Sequence, residues 1–576
     1  MPESANIARH LPLMAARQPA QAAVKIPRGR TATGAIDYLT LSFVELDQEV
    51  DAWVAHLQSK GVRRGDRVLV MVRQGLPLIA AAFALFKLGA VPVIIDPGMG
   101  RKSFLACVAR SRPRVLLGIP LAQVMSHVFR AAFKTVEIRV WASGSATARL
   151  GGGSQIANLK FEMAASEARD LAAVLFTSGS TGAPKGVCYE HGMFDAQVRL
   201  VRDTYGIAPG EVDLPMLPIF ALFNPALGMT TVVPQLDPSR PAAVDPAKIV
   251  RAILQEKVTS SFGSPTLWRK IFDHCLAQNL TLPSLRRVLC AGAAVPASLW
   301  ADAARVLPNG KLHSPYGATE VLPVATVVAD EVELRPELGA LIGRPLPANQ
   351  VKIIALHEGP IATLAEAREL PPGETGEIIV CGPTVTKEYD ALPEATAAAK
   401  IQSSSAKGQN PAATENTGSI LKFGLLEPEI SAPSGAVWHR LGDAGTLDQA
   451  GRLWFSGRIA ERVETAAGIM HTEPSEQVFR AHPAVARCAL IGLGLRGRQE
   501  PALVVQPKPG FPATGTAGLM RDLRDLAASR PHTADIKTFF LHPSFPVDVR
   551  HNAKIHRLTL TQWASTAPAH EPDQTP

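Results

Sequence analysis

Between residues 41 and 97 the hydrophobic period of the chain keeps changing, and that constrains the fold more than any other feature. A helix-period stretch leads into the turn Gly61-Val62-Arg63-Arg64-Gly65-Asp66 and the apolar strand 67–72. A second helix over 76–86 stops at Lys87 and Gly89, before the strand 91–95 and Asp96-Pro97. Apolar strands separated by helices predict an α/β fold with a mainly parallel sheet covered on both faces. Similar alternation recurs through 115–117, 172–176, 260–263 and 287–291. No segment repeats with a period of about 20–50 residues, which removes solenoids and propellers. The apolar stretch 76–86 is far shorter than the roughly 20 residues that span a bilayer. It reads as a buried helix, and no transmembrane segment is expected.

At 576 residues the chain exceeds what one simple core accommodates. After Gly373-Glu374-Thr375-Gly376 the pattern shifts to short strands at 377–381 and 451–455. Residues 395–435 are rich in Ala, Ser, Pro and Gly and are expected to form a mobile surface insertion. Beyond Gly457-Arg458 an α+β pattern follows, helical at 476–481 and 519–528 with strands at 488–492 and 502–505. The expected organisation is a large N-terminal domain over 1–456, a small mobile α+β domain over 457–566, and a disordered tail over 567–576. The net charge of +8 is modest for this length, and without Lys/Arg clusters it does not suggest nucleic-acid binding. Six scattered cysteines without a CxxC pair fit neither a zinc site nor a disulfide framework. With no signal-peptide core at the N-terminus, a cytoplasmic location is expected.

The chemistry concentrates in Thr177-Ser178-Gly179-Ser180-Thr181-Gly182-Ala183-Pro184-Lys185-Gly186, directly after the apolar strand 172–176. Glycines let backbone amides turn toward an anion, hydroxyls add donors, and Lys185 adds a positive charge. Such a segment suits a polyphosphate. It is not a Walker A loop, because Gly186 stands where a magnesium-binding Ser or Thr would follow the lysine.

This segment resembles the phosphate-loop signature of adenylate-forming enzymes, the superfamily of acyl-CoA synthetases, luciferases and peptide-synthetase adenylation domains. The resemblance covers nearly the whole chain, with motifs in the family's order. It implies ATP and Mg²⁺ as cofactors and assigns roles to particular residues. In Tyr316-Gly317-Ala318-Thr319-Glu320, Tyr316 would stack on adenine, Thr319 would face the α-phosphate and Glu320 would bind Mg²⁺. Gly292-Ala293-Ala294 would line the adenine pocket, Asp443 of Leu441-Gly442-Asp443 would hold the ribose, and Arg458 would mark the hinge. Lys554 would be the catalytic lysine of the small domain. Singly, each residue has an ordinary alternative: a tyrosine near glycine is usually core, and Asp443 could simply form a turn. The order and spacing of the set argue against coincidence.

Departures from the coenzyme A ligase pattern narrow the reading. Ala460 replaces the usual hinge Asp, Glu464 stands where a lysine is usual, and a Gly-x-Arg-Ile turn is lost. Glu464 is expected to place a negative charge where an anionic coenzyme would approach. The stretch 217–228, Leu217-Pro218-Ile219-Phe220-Ala221-Leu222-Phe223-Asn224-Pro225-Ala226-Leu227-Gly228, resembles the acyl-pocket segment of bacterial olefin β-lactone synthetases, and 237–242, 462–466 and 546–555 resemble that group too. Phe220, Leu222 and Phe223 would wall the acyl pocket. The reaction implied is activation of a 2-alkyl-3-hydroxy fatty acid followed by ring closure through its β-hydroxyl, in long-chain olefin biosynthesis. The implied partners are a thiolase-like condensing enzyme, a reductase and a β-lactone decarboxylase. The alternatives are a long-chain fatty acyl-CoA or acyl-carrier ligase and, from another class, a non-catalytic acyl or nucleotide sensor. No residue is assigned as base for the hydroxyl; His191, His313 and His439 neighbour motifs only in sequence.

Overall fold

The computed structural model describes residues 4–142, 145, 160–177, 183–237, 240, 243–403, 436–547 and 555–569. Ser178, Gly179, Ser180, Thr181, Gly182 and Lys554, all singled out above, lie outside the described residues, as do 404–435 and 570–576.

The change of period around residues 67–95 produces the expected parallel pairing. Arg67–Met71 and Val91–Ile95 are central in a six-stranded sheet ordered Ile138–Trp141, Val115–Gly118, Arg67–Met71, Val91–Ile95, Leu171–Thr177, Lys185–Glu190. Every neighbouring pair is parallel except the last, an antiparallel hairpin that spans the glycine-rich segment. Leu76–Leu88 is the helix expected between two of these strands, ended by Gly89 in the left-handed conformation. It is apolar on all sides because all sides are inside: Ile79, Ala80, Phe83 and Leu85 are each at most 2% exposed. Burying side chains such as Phe83 and Leu85 stabilises by about 1.5–3 kcal/mol each.

The second sheet has 15 strands and is mixed. Its centre, Ser260–Gly263, Arg287–Cys290 and Lys311–Ala318, is parallel. From Lys311–Ala318 through Val321–Val328, Gly339–Pro345, Leu453–Arg458 and Val437–Leu447 the pairing is antiparallel. Short connections explain the change at Lys311–Ala318/Val321–Val328 and Val437–Leu447/Leu453–Arg458, since a hairpin turn joins only antiparallel strands. The hairpin Ala22–Arg30/Ile36–Ser42 extends the far edge, where sequence periodicity signalled nothing. Arg287 and Glu211 form a bidentate pair inside this sheet, at 2.5 and 2.8 Å.

Beyond Arg458 a three-stranded sheet, Val485–Leu493, Glu500–Pro507 and Thr538–Leu541, carries the helices Thr472–Arg480 and Thr516–Ala528 and a core of its own around Phe479, Leu490, Leu503, Leu523 and Phe539. Gly457, with φ +124°, precedes this unit, and a Cβ there would lie 2.2 Å from Thr472 Oγ1. Only glycine combines that backbone with that approach. The chain stays ordered slightly past the expected start of the tail, since Ala567 packs against the cluster holding Leu560 and Ala564.

The expected insertion at 395–435 begins later than its composition suggests. Pro393–Ala399 is a helix with Pro393 in its first turn, and Lys400–Gln402 is a strand paired with Val437–Leu447. Alanine is the best helix former, so the low complexity that suggests a loop also suits a helix.

Breaking the buried Arg287–Glu211 pair should leave an uncompensated charge in the larger sheet. Arg287→Met is expected to lower unfolding free energy by about 3–5 kcal/mol, read from denaturant midpoints. A loss under about 1 kcal/mol would mean that the pair is not needed.

Candidate active site

Two hairpins, one from each large sheet, build the centre of the site. In the first, Thr177 pairs with Lys185, so both ends of the glycine-rich turn are fixed by a strand ladder. Pro184 is held as well, its carbonyl accepting from Arg110 Nη1 at 2.7 Å. In the second, Ala318 pairs with Val321, which leaves Thr319 and Glu320 at the tip. The tip is anchored from below. Tyr189 donates its hydroxyl proton to the Thr319 carbonyl, and the Glu320 carbonyl accepts from Thr386 N at 2.9 Å and Thr386 Oγ1 at 3.1 Å.

Tyr389 joins the two hairpins. Its hydroxyl donates to Glu320 Oε1 at 2.8 Å, and Lys185 Nζ sits 4.8 Å from its ring centre. A second cation, Lys400 Nζ, lies 5.8 Å from the same ring and donates to Thr386 Oγ1 at 3.2 Å. Lys400 is buried, and burial pulls its ammonium down to about 7 against an opposing pull from Glu320. Neither Tyr389 nor Lys400 was singled out from the sequence. Lys400 was concealed inside the compositional insertion, although Lys400-Ile401 follows a proline-started helix.

On the other flank, Tyr316 donates its hydroxyl proton to Asp443 Oδ2 at 2.6 Å, and Arg458 Nη1 lies 2.8 Å from Asp443 Oδ1. Asp443 and Arg458 are register partners on adjacent strands, so the ladder itself sets this pair. Burial and the neighbouring carboxylate both push the Tyr316 hydroxyl up, keeping it a donor. Gly292, Ala293 and Ala294 follow the strand Arg287–Cys290 and line the cavity that also receives Lys185, Tyr316, Gly317, Thr319, Glu320, Asp443 and Arg458. Phe220, Leu222 and Phe223, from the turn Pro218–Leu222 and its end, line it too.

Lys554 itself is not described, but its surroundings are. Val547 and Ile555 bridge, and Arg557 donates to Glu461 Oε2 at 2.6 Å and to Glu476 Oε1 at 2.7 Å.

The expectation for Glu464 is corrected. Its Oε1 lies 2.6 Å from Arg462 Nη2 and 2.8 Å from Arg496 Nη2, so two guanidiniums offset the charge that was expected to repel an anion. The sequence showed the carboxylate, but Arg496 lies on a later turn. The three histidines are each held by a contact outside the motifs, and His439 also lines the cavity. His191 Nδ1 accepts from Ile7 N, His313 packs edge-on to Tyr205, and His439 Nδ1 contacts the Ala399 carbonyl. All three are held below the usual imidazole range by burial.

A lysine-bearing hairpin, an acidic tip and a Tyr–Asp–Arg cluster thus meet around one cavity. The family model described as AMP-binding enzyme matches residues 15–390, and the chain belongs to that family. It is similar to the olefin beta-lactone synthetase of Xanthomonas campestris pv. campestris, 42% identical over 577 residues, 97% of each chain. The olefin beta-lactone synthetase of Stenotrophomonas maltophilia is also 42% identical, over 97% of this chain and 98% of its own. Among solved structures, amide bond synthetase McbA from Marinactinospora thermotolerans shares the fold with a TM-score of 0.74 at 21% identity, covering 97% of this chain and 100% of that one. No helix among the described residues is long and apolar enough to cross a membrane.

The lowered Lys400 ammonium has a pH signature. Below about 7 folded and unfolded chains both hold the proton, and the cost of burying the charge is fully present. Above it the folded protein has released a proton that the unfolded chain keeps up to its ordinary 10.5, so stability rises across that window. Lys400→Met lacks this rise. Between pH 7 and 9.5 the stability difference should move in favour of wild type by more than about 1 kcal/mol; a pH-independent difference would show that the folded amine stays charged as it does in the unfolded chain.

Proposed function

We propose that the protein uses ATP to activate a 2-alkyl-3-hydroxy fatty acid as its acyl-adenylate, and that the β-hydroxyl then closes onto the activated carbonyl to give a β-lactone. The observation that carries this reading is the similarity to olefin beta-lactone synthetases over 97% of the chain, with Ala460 and the lost turn departing from the coenzyme A ligase pattern. Glu464 no longer contributes to it.

A carboxylate is a poor electrophile, and its oxygen must first receive a leaving group. Attack on the α-phosphorus forms a carboxylate–phosphorus bond and expels pyrophosphate. The β-hydroxyl oxygen then attacks the acyl carbon, AMP leaves, and the hydroxyl proton departs to solvent or phosphate. Because that hydroxyl is tethered to the carbonyl, its effective concentration is high, which offsets part of the strain of a four-membered ring. Tyr316 and Asp443 are assigned to adenosine, Lys185 and the turn 178–182 to the phosphates, and Thr319 to the α-phosphate.

Glu320 suits a magnesium ion. Its carboxylate lines the cavity, and among the described residues only one of its oxygens has a hydrogen-bond partner, Tyr389, which leaves a hard oxygen donor for a hard cation. Bound there, the ion would neutralise charge on the phosphates. Lys554, on a unit we place at 457–566, would approach the carboxylate and α-phosphate as that unit closes about Gly457. We place the enzyme in the cytoplasm, beside a thiolase-like condensing enzyme and a reductase that make its substrate and a β-lactone decarboxylase that consumes its product.

Lys185→Ala and Glu320→Gln should each lower pyrophosphate release at saturating acid at least about tenfold, the equivalent of 1.4 kcal/mol, with melting temperatures near wild type. Wild-type rates in either variant would remove that residue from the phosphate site. The lactone itself should form at the same rate with and without coenzyme A, and an acid lacking the hydroxyl should stall as a bound adenylate. Rapid thioester formation from a simple fatty acid, with no lactone from the hydroxy acid, would select the acyl-CoA ligase instead.

A further inference from the structure

The cavity measures about 2490 Å³, against the roughly 300–1,000 Å³ of an ordinary small-molecule pocket. Polar side chains of the two hairpins line it, and among its apolar lining two groups adjoin the turn Pro218–Leu222. On one side, Leu222 and Phe223 pack with the core that includes Phe83, Phe86 and Val198. On the other, Phe220 stacks on Phe262 with ring centres 3.8 Å apart. One short turn thus presents apolar side chains in two directions.

The first region follows the helix Leu76–Leu88. Leu78, Ala82 and Phe86 line the cavity, and their spacing of four residues puts them on a single stripe of that helix. An aromatic row links the stripe to the chemistry. Phe86 meets Phe194 edge-on at 5.9 Å, Phe194 stacks on Tyr189 at 4.8 Å, and the Tyr189 hydroxyl holds the Thr319 carbonyl. The second region starts at Gly292–Ala294 and runs past Phe220 and Phe262 to Leu236 and Trp300, which pack against the core of the larger sheet. A single straight acyl chain can follow only one of these directions. An acid branched at its second carbon has two chains leaving adjacent atoms, and the arrangement matches that geometry.

We propose that the cavity contains two separate alkyl subsites, one along the Leu78–Ala82–Phe86 stripe and one along Phe262, Leu236 and Trp300, each taking one branch of the acid. This rests on the function proposed above. Two isomeric 2-alkyl-3-hydroxy acids of equal carbon number test it, one with its long chain on the second carbon and the other with its long chain on the third. Leu78→Trp and Ala82→Leu narrow the first subsite, and Leu236→Trp narrows the second. Leu78 and Leu236 are only half-buried, so their replacement spares the core.

The readout is the ratio of kcat/KM for the two isomers in pyrophosphate release, with lactone followed separately by mass spectrometry. Both helix-side variants should shift the ratio at least tenfold in one direction, and Leu236→Trp should shift it in the other. Folded variants that all shift the ratio the same way, or not at all, overturn the two subsites. If lactone never forms while the ratios move as expected, the proposed ring closure fails and the subsites stand.

Discussion

The ion pair between Arg67 and Asp390 sets the spacing on which the site depends. Arg67 belongs to a central strand of the six-stranded sheet, and its guanidinium meets the carboxylate in bidentate fashion at 2.8 and 2.9 Å. Asp390 is 5% exposed, so loss of Arg67 would strand a buried charge. Its backbone N–H donates to the Gly186 carbonyl at 2.7 Å, and Cys188 N donates to the Glu388 carbonyl at 3.2 Å. The residue before it, Tyr389, reaches Glu320 on the other sheet. Within 386–390 the chain is therefore sewn to the lysine-bearing hairpin on one side and the acidic tip on the other. The distance between Lys185 and Glu320 follows from those bonds, and neither side chain needs to find the other.

A second set of charges connects the Tyr316–Asp443 flank of the cavity to the small unit. Asp443 is shared between Tyr316 and Arg458, and three residues after Arg458 comes Glu461, which is paired with Arg557. Arg557 also holds Glu476 on the helix Thr472–Arg480. Arg557 therefore ties Glu461, just after Arg458, to the helix Thr472–Arg480.

The sequence was most legible where hydrophobic period and chain order carry the information. The strand 260–263 and the strand 91–95 form where the apolar runs place them, and the glycine-rich segment turns between two paired strands. Its motifs also converge: Tyr316, Glu320, Asp443 and Lys185 share one cavity despite lying up to hundreds of positions apart. What was illegible depends on contacts between distant residues of ordinary type. Tyr389 and Lys400 have no motif, and their roles arise only when two sheets meet. Glu464 read as a bare charge because its partner Arg496 is separated by a hairpin, a helix and a strand. The alanine-rich start of 395–435 misled for another reason, since composition measures complexity and not the capacity to form a helix.

The six cysteines have a practical consequence. Each is buried, at most 6% exposed, and burial raises their thiols, so none presents a reactive thiolate to solvent. A thiol introduced on the surface would be the addressable one without removing any native cysteine. Leu495, 83% exposed beyond the hinge, and Val128, 65% exposed on the six-stranded sheet's side, are natural positions for a pair of probes. The chain comes ready for distance measurements between these two faces.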